Sequence, residues 1–388
     1  MPKLHRSGLL LVTAAAVSGL VLTGCTSAKK SAADTAAGGG TTKIKVSLSN
    51  DSCTAEPASV AAGAATFTVK NENGSAVSEA ELVSGSKILG EKEGLTPGLS
   101  GNFSLNLQPG SYQLYCPNAK TERSSFTVTG TAASPDTTST AGAVALLGVA
   151  TSGYREYVLQ QADKLLTLTR GFTDAVIAGN VVKAKSLYAV ARSPYESIEP
   201  VAESFGDLDP DIDARDGDVP AGQWGGYHRI EQQLWLHNNT SGMTPVATKL
   251  LADVNTLITK IKDTTYQPAD LANGATDLLT EVGKTKLAGE EERYSRTDLT
   301  DIQANLAGSQ AAFDLLAPAL KSTDASLVNV IQARFTDMRT LMQKYATAGG
   351  NFQLYTQLTK AQIKELTVAV NALAEPLSKV GEKVVAIK

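Results

Sequence analysis

Three histidines and three cysteines in 388 residues leave little material for imidazole or thiolate chemistry. His5 falls in a basic N-terminal segment, so a site in the body of the chain must draw on His228 or His237. A Ser-His-Asp or Cys-His nucleophile would have to recruit one of these two. Zinc peptidases of the HExxH type set two histidines one turn apart on a helix, and no such pair exists here. No Cys-x-x-Cys-His run occurs, so attached haem has no support. An excess of one charge is also lacking. Lys+Arg 35 stands against Asp+Glu 39, which offers no basic face to nucleic acid. What remains is an ordinary globular composition, 42% hydrophobic and 19% charged, on a chain long enough for two domains.

The N-terminus reads as a leader. Lys3, His5 and Arg6 form a basic start, and Leu9 to Leu22 is apolar but broken by small residues, too short for a comfortable membrane span. It ends in Leu22-Thr23-Gly24-Cys25, which looks like a lipobox. The expectation is that residues 1–24 are a signal peptide and that Cys25 takes a lipid, tethering an exported protein to the outer face of the cell membrane. Residues 25–42, small and polar after the cysteine, suit a flexible tether. That leaves Cys53 and Cys116. Outside the cytoplasm an even pair is more often a disulfide than two thiols.

Beyond the tether the chain changes texture once. Residues 43–129 alternate in short runs, such as Lys43 to Leu48, Thr66 to Val69, Asn102 to Leu107, Ser111 to Cys116 and Phe126 to Val128, with Gly, Pro and Asn turns between them. This pattern predicts a small antiparallel β-sandwich or Greek-key barrel. A Ser/Thr/Pro-rich linker at 130–141 follows. From 142 to 388 the period is helical, as in Tyr154, Val158, Leu165, Leu168 and Phe172. Breaks at Gly179-Asn180, Ser193-Pro194, 207–222, 238–245, 264–268 and Gly349-Gly350 divide it into a helical bundle, with the Asp-rich stretch 206–221 as its longest loop.

The most informative segment runs from Ser193 to Trp235. Ser193 reads as an N-cap and Pro194 as the first helical residue, which puts Glu196 and Glu199 on one helix face, with Pro200 disturbing the helix behind them. After the Asp-rich loop, His228 and Glu231 open a second helix behind Gly225-Gly226. Two i, i+3 ligand pairs on facing helices are how carboxylate-rich metal sites are built inside bundles. One imidazole among carboxylates suits iron, zinc or copper, whereas oxygen ligands alone would favour calcium or magnesium. Asp209, Asp211, Asp213, Asp216 and Asp218 are available to complete the sphere. His237 falls at the end of the same helix, where an imidazolium suits the negative helix terminus.

YESIEPVAESFGDLDPDIDARDGD, GYHRIEQQLW and the later LAGEEERYS followed by TDL resemble, in that order, the imelysin-like domain of EfeO-type iron-uptake proteins, whose hallmark is HxxE within GxHRxE. The resemblance implies an all-α bundle of two related halves behind a cupredoxin-like β-sandwich. It also implies a metal site of His228, Glu231, Glu196, Glu199, Asp213 and one acid of Glu290, Glu291 and Glu292, taken here as Glu291. Residues 43–129 contain no histidine or methionine, so a blue-copper site cannot be assembled there. EfeO-like sandwiches carry two cysteines and acidic residues, matched by Cys53, Cys116, Glu79 and Glu81. These imply either a second metal site or a disulfide.

The resulting expectation is an extracytoplasmic component of an EfeUOB-like system that captures iron (Fe2+ or Fe3+; zinc or copper are the other candidates) and passes it to a membrane permease. The resemblance implies a ferrous-iron permease and a haem-type peroxidase as partners. The alternatives are an imelysin-like metallopeptidase and a surface interaction lipoprotein that moves no metal.

Overall fold

The computed structural model describes residues 41–131, 141–206, 208–349 and 351–387. The expected leader, Cys25, nearly all of the tether and most of the linker therefore lie outside the described residues.

Among the described residues nine strands form two packed sheets. β1 (Thr42–Leu48), β2 (Cys53–Glu56), β4 (Gly63–Asn71) and β7 (Ser100–Leu107) give one sheet in the order β2-β1-β4-β7. β3 (Ser59–Ala61), β5 (Ala80–Ser84), β6 (Lys87–Lys92), β8 (Gly110–Tyr115) and β9 (Arg123–Thr129) give the other, β3-β9-β8-β5-β6. The strand period of two sends Ile44, Val46 and Leu48 inward while Lys43, Lys45 and Ser47 face out. Phe67 and Phe103, paired across β4 and β7, stack at 4.7 Å, and Phe126 of the opposite sheet closes on Phe67 at 5.5 Å. The pairing is antiparallel except for β1 with β4 and β3 with β9. Those two are parallel because the chain leaves β2 for the second sheet as β3 before returning as β4, so neither pair can be a hairpin. Cys53, opening β2, and Cys116, just past β8, are joined in a disulfide that ties one sheet to the other.

Among the described residues ten α-helices follow: α1 (Ala141–Ile177), α2 (Val181–Glu196), α3 (Glu199–Glu203), α4 (Leu208–Asp213), α5 (Gly226–Leu236), α6 (Thr244–Asp263), α7 (Pro268–Lys284), α8 (Asp298–Gln343), α9 (Lys360–Leu377) and α10 (Val380–Val385). Their starts follow local chemistry. Asn180 caps α2 through Lys183 N, Gln267 and Asp270 form a capping box with Pro268 in the first turn of α7, and Thr359 caps α9. Helix α8 breaks at Asp324 (φ −152°, ψ 71°), whose carboxylate accepts Leu327 N at 3.0 Å and so starts the next stretch.

Two expectations change here. Ser193-Pro194 is not a helix start, because α2 runs through it to Glu196. Ser193 Oγ donates back to Ala189 O at 2.9 Å, and the proline falls in the last turn, where the missing N–H costs a single bond. The true break is Ser197-Ile198, and Pro200 opens α3, so Glu196 and Glu199 belong to two helices that meet at a tight turn. The Asp-rich stretch is not one loop either. It holds α4, and that helix delivers Asp213.

The sandwich rests on α7 and α10. Asn273 of α7 donates to Ser104 O at 2.8 Å and accepts from Ser104 N at 3.2 Å, completing the edge of β7 as a strand would. Lys92 reaches Asp277 at 3.3 Å, Lys284 reaches Glu93 at 2.8 Å, and Ala64, Ala269 and Val385 form a small shared core.

Candidate metal centre

The inward ends of α2, α3, α4, α5 and α8, together with residues 286–297, meet at one buried point. Gly226 makes the meeting possible. Its φ is +69°, and a Cβ on it would stand 2.1 Å from Ile212 O. Only glycine lets the start of α5 lie against the end of α4, which brings His228 beside Asp213. Gly289 plays a similar part at φ +71°, where a Cβ would meet the Tyr355 ring at 2.5 Å. The turn there aims Glu291 and Glu292 inward, while Glu290 stays exposed.

His228 is 1% exposed and its two nitrogens have different neighbours. Nδ1 lies 3.2 Å from Glu231 Oε2, one helical turn on. Glu231 is itself fixed, because its other oxygen accepts Tyr294 N at 2.9 Å and Ser295 N at 2.6 Å. Burial opposes its charge, but His228 and Ser295 N outweigh it and lower the Glu231 pKa. Nε2 faces Asp213 Oδ1 and Glu291 Oε1, each at 3.7 Å, and Arg192 Nη1 at 2.9 Å. Asp213 and the hydrogen bonds of Glu231 and Glu291 would push the ring up to about 10, against burial and Arg192. The Arg192 contact, however, requires a lone pair at Nε2, since two N–H groups facing at that distance repel. We therefore assign the neutral ring protonated at Nδ1, with Glu231 accepting that proton's hydrogen bond.

Carboxylates crowd the Nε2 side. One oxygen each from Glu196, Glu199 and Asp213 lies within 4.8 Å of the others, and Asp213, His228 and Glu291 form a second such group. His228, Glu231 and Glu292 form a third on the Nδ1 side. Buried carboxylates need cations, and two are present. Arg192, 0% exposed, spans Glu196, Asp213, Glu291 and Glu292. Lys286, also 0% exposed, stands 3.2 Å from Glu196 and 3.6 Å from Glu199. Burial alone would raise the Glu291 pKa, but Lys286 and Arg215 beside it act the other way and lower it. Burial and Glu231 carry Glu292 the other way, to about 8. From α8, Asn305 Nδ2 donates to Glu196 Oε2 and Glu199 Oε2, both at 3.2 Å, and Asp301 is buried with no partner at either oxygen.

The six residues expected to bind metal are buried in adjoining groups, with Asp213 and Glu291 on the Nε2 side of His228, Glu196 and Glu199 next to Asp213, and Glu231 on the Nδ1 side. Of the loop aspartates only Asp213 is among them. Asp209 accepts from Tyr195, Asp211 pairs with Lys249, Asp216 with Tyr294, and Asp218 with Arg215. His237 caps the exposed end of α5. The donor set of one imidazole nitrogen and several hard, buried carboxylate oxygens fits a transition-metal cation such as iron. Orphaned Asp301 oxygens mark surplus acceptor capacity in the same pocket.

The model of the imelysin family matches residues 150–380, and that of the cupredoxin-like domain matches residues 14–128. The iron uptake system component EfeO of Escherichia coli K12 is 38% identical over 340 residues, which cover 87% of this chain and 90% of that protein. The EfeO of Shigella flexneri matches to the same extent. This chain belongs to the EfeO-type imelysin family. Its fold also resembles the solved iron-regulated protein A precursor of Parabacteroides distasonis, at a TM-score of 0.50 and 15% identity over 65% of this chain and 98% of that one.

In this EfeO-type chain the sandwich holds a second acidic group. Glu79, Glu81 and Glu91 offer oxygens within 4.8 Å of one another, Glu81 and Glu91 being cross-strand partners on β5 and β6. Burial and Glu79 push Glu81 up to about 9. Cys53 and Cys116 do not join this group, since their sulfurs are bonded to each other. Sequence reasoning missed Glu91, whose signal was its alternation with Glu93 along a strand. It also missed Arg192, Lys286, Asp301 and Asn305. Of these, Asp301 and Asn305 announce themselves only as part of a polar stripe at helical spacing on α8, with Asp298 and Ser309.

Proposed function

We propose that this chain is the extracytoplasmic metal-binding component of an iron uptake system, capturing iron and handing it to a membrane permease. The observation that carries this reading is His228 Nε2, held between Asp213 and Glu291 while Nδ1 is fixed by Glu231. Iron as cargo would be bound by His228, Asp213, Glu291, Glu196 and Glu199. Glu231 would act one step behind, orienting the imidazole and raising its basicity, as carboxylates commonly do for metal-bound histidines. Burial supports the role, since a dry cluster of oxygens attracts a multivalent cation far more strongly than a wet one.

The relatives' names support iron over zinc or copper as the cargo. A ferrous-iron permease and a haem-type peroxidase are the partners this reading entails, with a lipid on Cys25 holding the protein near them at raised effective concentration. No described helix is long and apolar enough to cross a membrane, so contact with the permease would come from this tethered form. The reading gives the centre no hydrolytic role.

The test is a calorimetric titration of residues 26–388 with ferrous iron, ferric iron, zinc and copper, alongside a His228→Ala/Glu231→Ala variant. Near-stoichiometric binding lost in the double variant is expected, with iron preferred. Binding that survives would move the site to Glu79, Glu81 and Glu91, and no binding of any ion would leave an interaction module.

A further inference from the structure

Lys286 is a fully buried cation beside the candidate centre to which the metal-binding reading gives no task. It opens a 3-10 turn (Lys286–Ala288) directly after α7, and its side chain is fully buried. Its ammonium lies 3.2 Å from Glu196 Oε2, 3.6 Å from Glu199 Oε2 and 3.9 Å from Glu291 Oε1. None of these contacts has hydrogen-bond geometry, so Nζ is held by charge alone. Arg192 is held quite differently. Its guanidinium forks across four carboxylates, accompanies His228 Nε2 and lies over the Tyr227 ring, all from the interior of α2. A planar fork with several directed contacts is scaffold, whereas a compact charge on a flexible stem, with no directed bond to lose, can leave.

We propose that Lys286 is the resident counter-cation of the metal centre, neutralising Glu196, Glu199 and Glu291 until a metal ion takes those oxygens and displaces it. The inference rests on the metal-centre reading and adds how the cargo is selected. Glu196, Glu199 and Glu291 stand together in a low dielectric and repel one another, so each that keeps its charge needs positive charge nearby; burial raises Glu199 well above the carboxylate range even against the pull of Lys286. A metal ion arriving beside a retained ammonium would meet a like charge a few ångströms away. Displacing the ammonium removes that repulsion and breaks no directed hydrogen bond. The exchange sets a charge threshold. A monovalent ion brings no more charge than it displaces, whereas a divalent or trivalent ion gains with every carboxylate.

The experiment uses the full chain, stripped with a chelator, in a Glu79→Gln/Glu81→Gln background that silences the sandwich carboxylates. Zn2+ is the probe, being diamagnetic and redox-silent, and its affinity is read by competition with a chromophoric chelator. Lys286→Met should bind Zn2+ about tenfold tighter or more, because the ion no longer has to displace a competing cation from the same oxygens. Lys286→Arg, which keeps the charge, should not. A lysine serving only to hold the fold would give the opposite sign, so equal or weaker binding by Lys286→Met overturns the proposal. A second measurement covers a Met variant that fails to fold. In 15N-lysine-labelled protein the Lys286 ammonium signal, identified by its absence from Lys286→Arg, should shift or broaden on Zn2+ addition, and a signal that does not move overturns the proposal. Zn2+ binding that is absent altogether overturns this inference, and the same titration with Fe2+ decides whether the metal-centre reading falls with it.

Discussion

Replacing Arg192 with methionine tests whether the buried carboxylates depend on an internal cation. The side chain is 0% exposed and contacts Glu196, Asp213, Glu291 and Glu292, so methionine keeps most of the volume and removes the one charge these four acids share. Breaking a buried ion pair by removing one partner costs about 3–5 kcal/mol, because the other partner is left uncompensated. For a domain of this size ~1 kcal/mol shifts the melting temperature by roughly 2–4 °C, so a fall of roughly 6–20 °C is expected in chelator-treated protein. The acids can limit the damage by taking up protons, so the penalty should be smaller at pH 6 than at pH 8. Saturating metal should narrow the gap, since the bound ion brings positive charge to Glu196 and Glu291, two of the four acids, and stabilises by mass action. Arg192→Lys should recover less than half of the loss, because an ammonium cannot fork across four carboxylates. Scanning calorimetry on wild type and both variants, with and without metal, measures all of this. A methionine variant within about 3 °C of wild type at pH 8 would refute the reasoning, for it would mean that the four acids do not share a charge with Arg192.

Gly226→Ala should damage the centre without touching a ligand. The new Cβ would sit 2.1 Å from Ile212 O at a φ of +69°, so α5 must move off α4 and carry His228 away from Asp213. A loss of about tenfold or more in metal affinity, read by calorimetry, is expected while circular dichroism stays near wild type. Unchanged affinity would show that the approach of α4 to α5 does not set the site. Acidity should also act against habit. Burial raises Asp270 and Asp277 to about 6, Glu281 and Asp298 to about 7, and Glu292 to about 8, all above their unfolded values near 4. A raised acid binds its proton more tightly in the folded state, so its stabilisation is complete below the unfolded pKa and lost as pH rises through the folded one. Glu93, Glu231 and Glu291 are lowered, so their contribution disappears only below pH 4.5. The melting temperature of metal-stripped protein should therefore be several degrees higher at pH 5.5 than at pH 8.5. A flat or rising profile would contradict the assigned directions.

Much of the fold was legible because its elements carry strong periods. The alternation at Lys43 to Leu48 and at Asn102 to Leu107 is the pattern of β1 and β7, and the helical spacing from Tyr154 to Phe172 is the buried face of α1. β2, β3, β5 and β6 escaped notice because they are short or half-buried and mix Gly, Glu and Lys into the pattern. The parallel pairing of β1 with β4 could not be read at all, since local sequence records where a strand lies and not which sheet the chain visits in between. The misreading at Ser193-Pro194 has a similar root. A serine before a proline fits a helix start and a last turn equally well, and what decides is the packing of Tyr195 and Glu196, both fully buried.

The centre was legible in its acids and opaque in its cations, and the physics of burial explains the asymmetry. A search for ligands looks for groups that bind metal, so it finds His228, Glu231 and the carboxylates at their helical spacings. It does not ask what balances them. A folded interior cannot hold Glu196, Glu199, Asp213, Glu231, Glu291 and Glu292 unless positive charge is buried with them or they give up their charge to protons. Arg192 lies four residues before Glu196, which places it on the same face of α2, and Lys286 lies five before Glu291, just ahead of the turn that aims the acids inward. Both positions could have been inferred by demanding charge balance around the proposed ligands. Asp301 could not. Its carboxyl has no partner, and burial with Glu196 and Glu292 nearby raises its pKa well above the carboxylate range. Only the three-dimensional packing of α8 against α2 places that carboxyl near the acids of the candidate centre.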